Sequence, residues 1–222
     1  MKARPIRCLI TAGPTREHLD PVRFLSNPST GKMGYALAIA AAAIGWKVDL
    51  VSGPVALPAP AGVKVHSVVS AAEMLVATKK LFARCDVLLM CAAVSDFRPK
   101  KTAAHKVKKN NAALVIEFEP TVDILKTLAK GKKPGQLVVG FAAETRNVET
   151  YARRKLKEKN LDFIIANHVG RAGSGFGADR NTVILLGSEG KRAKFGPSSK
   201  TKLAHILIEH LQAELKLVPS KK

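Results

Sequence analysis

The spacing of apolar residues along this chain switches repeatedly between two periods. Short continuous or alternating runs, as in strands, give way to stretches with apolar positions three and four apart, as in helices. Residues 8–11 have strand character, and the alanine-rich run YALAIAAAAI at 35–44 has helix character. WKVDLVS at 46–52 predicts a second strand, closed by Gly53 and Pro54, and residues 63–69 predict a third. Residues 71–84 interleave Met74, Leu75, Ala77 and Leu81 with Lys79 and Lys80, the pattern of an amphipathic helix. DVLLMCAA at 86–93 and QLVVGFAA at 136–143 are continuous apolar runs, expected of central parallel strands covered on both faces. ALVIEFE at 113–119 alternates as a half-exposed strand. Residues 121–130 predict a short helix, 147–160 a basic helix, and DFIIA at 162–166 a further buried strand. Residues 182–186 and 192–195, joined through Gly187 and Gly190, predict a hairpin before a last helix at 199–215.

This alternation predicts an α/β fold: a Rossmann-like, doubly wound, mostly parallel sheet with helices on both faces and a small hairpin excursion. No repeat or linker interrupts it. Residues 1–222 are therefore expected to form one domain, with excursions at about 95–120 and 168–198.

In such sheets ligands bind beyond the carboxyl ends of the strands. The polar clusters fall there. The first, ITAGPTREHLDPVRFLSNPSTGKMG at 10–34, is far longer than a usual strand-to-helix connection. Its glycines let backbone N–H groups approach a ligand, and a helix N-terminus near Gly31 favours an anion. The second cluster, AAVSDFRPK at 92–100, runs on into HKVKK at 105–109. An Ala-Ala pair ending a strand is expected to leave backbone N–H groups open to a ligand. Asp96 would hold a hydroxyl, and the lysines would fold over phosphates. GFAAET at 140–145 with Asn147, and Ala166 with Asn167, complete the set.

Charge sharpens this picture. With 37 Lys and Arg against 17 Asp and Glu, the chain carries +20, an excess that attracts nucleic acid or small polyphosphates. Two Tyr and one Trp supply no stacking platform for single strands, so nucleic acid is not expected as the primary partner. No apolar run is long enough for a membrane span. Three cysteines, Cys8, Cys85 and Cys91, without a CxxC pair, read as reduced core residues of a cytoplasmic protein.

Several motifs fail. SNPSTGKMG has Ser26 and Met33 where a phosphate loop needs Gly and Ser or Thr, and GxGxxG is absent. Tyr151 and Lys155 have the YxxxK spacing of short-chain dehydrogenases but lack the glycine fingerprint. None of the six His sits with a metal-ligand partner, and no GxSxG is present. A nucleic-acid-binding protein and a nicotinamide oxidoreductase are the alternative classes.

Taken together, ITAGPTRE, DPVRFLSN, GKMG, AAVSDFRP, HKVKK, VGFAAET, NVETYARRKLKEKN and DFIIAN resemble the bacterial phosphopantothenoylcysteine synthetase family, a CTP-dependent phosphopantothenate–cysteine ligase. The match runs from about residue 10 to 167 and continues more weakly through GFGADRNTVILL. In many bacteria the family's domain follows a flavin-dependent decarboxylase. With Met1 so close to the first strand, no FMN is expected in this chain, and a separate decarboxylase is an expected partner.

The resemblance implies a two-step reaction with Mg²⁺. The carboxylate of 4′-phosphopantothenate attacks CTP, releasing pyrophosphate, and L-cysteine then displaces CMP from the acyl-cytidylate. It implies catalytic roles for Asn27 and Lys106. Gly13, Ser29, Gly31, Gly34, Asp96, Lys106, Phe141, Lys155, Lys159 and Asn167 would bind the nucleotide. Asn27, Ala92, Ala93 and Asp96 would bind substrate, joined by Arg23 from the second subunit of a homodimer. No protein ligand for the metal is identified. Departures from the family's usual pattern are His168, Ser95 and the segment EPTVDI at 119–124.

Overall fold

The structure, a computed structural model, describes residues 4–109, 113–169 and 178–217. The chain begins with β1 (Arg7–Ala12), β2 (Arg16–His18), β3 (Phe24–Ser26), α1 (Lys32–Ala43), β4 (Lys47–Ser52), β5 (Val63–Ser67) and α2 (Ala71–Phe82). It continues with β6 (Val87–Met90), β7 (Phe97–Pro99), β8 (Phe118–Pro120), α3 (Ile124–Lys130), β9 (Leu137–Glu144) and α4 (Val148–Glu158). It ends with β10 (Phe163–His168), β11 (Arg180–Gly187), β12 (Arg192–Ser199) and α5 (Lys200–Leu217).

Eight strands form one sheet in the order β12-β11-β10-β9-β6-β1-β4-β5. The six from β10 to β5 are parallel. Numbered by occurrence, they have the doubly wound order 3-2-1-4-5-6, which reverses direction between β1 and β6. Each strand alternates between two cores. Cys8, Ile10 and Ala12 of β1 face a core shared with α1 and α5. Leu9, with Leu88 of β6 and Ile164 of β10, faces one shared with α2, α3 and α4. Helices therefore cover both faces, as the apolar runs predict.

Three expectations are corrected. The hairpin is not an excursion: β11 and β12 extend the main sheet antiparallel to β10, because Val183, Leu185 and Leu186 are apolar enough to be buried there. The alternating segment at 113–119 is a strand only at β8, a three-residue partner of β7, and Val115 is 84% exposed. The long connection after β1 is not plain loop, since β2 and β3 pair within it. Gly175, Phe176 and Gly177 of the weak terminal match lie outside the described residues.

Candidate active site

The strand order reverses where β1 and β6 end, and the chain is stitched together there. Ala93 N–H donates to Gly13 O at 2.9 Å and Ala92 N–H to Thr11 Oγ1 at 3.0 Å. The backbone donors expected to face a ligand are thus used internally, a correction whose cause is the approach of the two strand ends. The carbonyls face Asn27 instead: its Nδ2 donates to Ala93 O and Val94 O, both at 3.1 Å. That leaves Asn27 Oδ1 free of these two bonds.

Above this seam lies a crevice of about 420 Å³. Asn27, Ser29, Gly31, Gly34, Ala92, Ala93, Asp96, Phe141, Lys159 and Asn167 all line it, so ten of the residues singled out in the sequence converge. Gly31 caps α1 in a left-handed conformation, φ 76°, with no side-chain cap. The first-turn N–H groups of α1 have no intrahelical acceptors and carry the positive end of the helix dipole. Gly34 is required by packing: a Cβ there would stand 2.6 Å from Ala12 Cβ.

The opposite wall comes from α3 and α4. Asp123 caps α3 by accepting from Lys126 N–H, and Lys159 Nζ lies 2.8 Å from Asp123 Oδ2. Asp123 belongs to the divergent EPTVDI segment yet sits at the site. Ser95 is structural, donating to Phe97 O at 2.8 Å. The Cys91 thiol also faces the crevice, and burial pushes its pKa up to about 12.

Four of the singled-out residues lie elsewhere. Gly13 supports the crevice from behind, in a left-handed conformation with φ 73°. Lys155 Nζ is 2.7 Å from Glu144 Oε1, which holds it against the end of β9 and out of the crevice. Arg23 and exposed Lys106 are part of a different recess, of about 450 Å³, between the β2–β3 hairpin and the basic loop. Its organiser is Asp20, a fully buried carboxylate that sequence reading did not single out. Asp20 accepts from the backbone N–H groups of Val22, Arg23 and Val107 and from the Arg23 guanidinium. Arg23 also donates to Val107 O at 2.6 Å. Those Arg23 bonds hold the Asp20 carboxyl well below the usual range. Arg23 and the loop carrying Lys106 are thus one tethered unit outside their own protomer's crevice.

Among the described residues, no group of three or more His, Cys, Asp or Glu is placed to hold a metal. The residues gathered here suit anion binding and positioning more than covalent catalysis, and the protein is of the Rossmann-like nucleotide-site class.

The chain belongs to the family described as the DNA/pantothenate metabolism flavoprotein C-terminal domain, whose model matches residues 4–215. It is 48% identical over 206 residues to the coenzyme A biosynthesis bifunctional protein CoaBC of Bacillus subtilis, covering 92% of this chain and 50% of that one. It is 50% identical over 189 residues to the CoaBC of Vibrio cholerae, covering 84% and 47%. The chain spans about half the length of the curated relatives it matches. A solved C-terminal domain of CoaBC superposes with a TM-score of 0.81 at 44% identity, covering 95% of this chain and 96% of that domain.

Proposed function

We propose that this chain is a ligase of coenzyme A biosynthesis that joins 4′-phosphopantothenate to L-cysteine through an acyl-cytidylate. The observation that carries this reading is the content of the crevice. A helix N-terminus, Lys159 and the Asn27 amide surround it, and no nucleophile–base pair is assembled there. An acyl-nucleotide ligase needs that kind of site, because the substrate carboxylate is itself the nucleophile and catalysis reduces to positioning and charge stabilisation. The relatives' names and the near-complete overlap with a CoaBC C-terminal domain support it.

In the first step a carboxylate oxygen bonds to the α-phosphorus of CTP and the bond to pyrophosphate breaks. The first-turn N–H groups of α1 favour the charge on the phosphates. In the second step the cysteine amine bonds to the acyl carbon, the bond to CMP breaks, and the amine loses its proton. Asn27 orients the acyl group; to donate to its carbonyl, the amide must exchange one of its bonds to Ala93 or Val94. Mg²⁺ fits no cage of protein ligands here. Asp123 is engaged by Lys159, and Asp96 is the crevice's other carboxylate among the described residues. The ion is expected to arrive on the triphosphate, and no step is routed through it.

Lys106 and Arg23 complete the site from outside. Arg23 stands beside Val22, Phe24 and Leu25, apolar residues 58%, 41% and 38% exposed. A second copy covering this surface would bring Arg23 to the partner's phosphopantothenate, which favours a homodimer working as a single ligase domain per chain. The test is pyrophosphate release with CTP, then ATP, in the presence and absence of 4′-phosphopantothenate. Release that requires 4′-phosphopantothenate is expected, faster with CTP. Release indifferent to it, or none from folded protein, would overturn the reading.

A further inference from the structure

Two helices open on lysine at the crevice. Lys32 is the first residue of α1 and Lys200 the first of α5, and neither first turn contains an acid. The helix dipole favours carboxylates at that position and disfavours cations. Lys200 carries a second penalty. It is only 7% exposed and lines the crevice beside Lys32, whereas lysine is rarely buried without compensation. Burial first, and then the Lys32 charge, lower its pKa. Asp179 offsets part of this: its carboxylate takes Lys32 Nζ at 2.6 Å, and its backbone carbonyl accepts Lys200 N–H at 3.0 Å. That carboxylate is 83% exposed and is a single charge beside two lysines. With two positive helix ends added, this side of the crevice is short of negative charge.

We propose that Lys200 binds the phosphate chain of the nucleotide, pairing its ammonium with a phosphate oxygen from the α1–α5 side of the sheet. The assignment rests on the nucleotide reading above. Sequence reading passed over Lys200 because one lysine among 37 Lys and Arg carries no mark. The available signal was its place at the head of an apolar helix with no acid in the first turn.

The experiment is calorimetric titration of the full chain with CTP and Mg²⁺, together with melting of the ligand-free protein. Lys200→Met is expected to weaken CTP binding roughly 10- to 100-fold, the range for losing one charge-assisted hydrogen bond, with Lys200→Arg restoring most of it. Ligand-free Lys200→Met is expected to melt at or above the wild-type temperature, since it removes a desolvated cation. CTP binding by Lys200→Met equal to wild type would overturn the assignment alone. So would ligand-free melting well below wild type in both variants, which marks a structural lysine. A wild type that binds no CTP would overturn the nucleotide reading and this assignment with it.

Discussion

Gly53, at the end of β4, is the position where one added methyl group should do most harm to the crevice without touching it. A Cβ built there stands 1.7 Å from Pro14 O and 2.8 Å from Pro14 C. An ordinary carbon–oxygen contact is about 3.3 Å, so the two backbones would have to part by roughly 1.5 Å. Overpacking a tight interior costs about 1–3 kcal/mol. The upper end applies, because both partners are main chain and neither can rotate away. For a chain of this size, about 3 kcal/mol lowers the melting temperature by roughly 6–12 °C. The displacement should also reach the site. Thr15, next to Pro14, accepts Ser26 Oγ at 2.8 Å and donates to Ala93 O, the same carbonyl that orients Asn27. Gly53→Ala is therefore expected to lose both stability and nucleotide affinity. Gly62→Ala is the control: its φ is 73° but nothing lies within 4 Å, so only backbone strain of about 1 kcal/mol applies. Differential scanning calorimetry of both variants decides the matter. A Gly53→Ala protein melting within 1 °C of wild type, or no lower than Gly62→Ala, would refute the packing argument.

Three further outcomes follow from the site. Asn27→Asp places a carboxylate against Ala93 O and Val94 O, which accept the amide's hydrogens. Acyl-cytidylate should then accumulate on mass spectrometry, and normal product with no intermediate would count against it. Asp20 has a lowered pKa, so it stabilises the fold above the ordinary carboxylate value near pH 4 and loses that contribution as pH falls below it. Asp20→Asn should flatten the acid limb of the melting profile and speed hydrogen exchange at Val107; unchanged exchange would show that Asp20 does not anchor the loop. Burial raises Cys85 and Cys91 to about 12 and pushes Cys8 up as well, so iodoacetamide at pH 8 should label these thiols only after unfolding.

The sheet was legible because continuous apolar runs mark strands buried on both faces, and β6, β9 and β10 are such runs. The ten residues lining the crevice were legible through loops that topology carries to one sheet edge. What stayed hidden depends on contacts distant in sequence. Ala92 and Ala93 read as open donors until Thr11 and Gly13 came to lie beside them. Lys155 and Lys159 stand one helical turn apart, and nothing local reveals that Glu144 holds one while the other reaches Asp123. The segment at 113–119 alternates like a strand, yet alternation without a covering layer leaves it mostly exposed. Asp20 looked like an ordinary turn residue, and only the folded loop shows that it ties Arg23 to the chain segment carrying Lys106.

The central claim is that the carboxylate of 4′-phosphopantothenate becomes an acyl-nucleotide. It is tested most directly with substrate labelled by ¹⁸O in that carboxylate, incubated with CTP, Mg²⁺ and L-cysteine. Attack by the carboxylate leaves one of its oxygens on the nucleotide when the amine displaces it, so the account predicts CMP carrying one ¹⁸O. Product formed with unlabelled CMP, or with label in inorganic phosphate and CDP released, would contradict it.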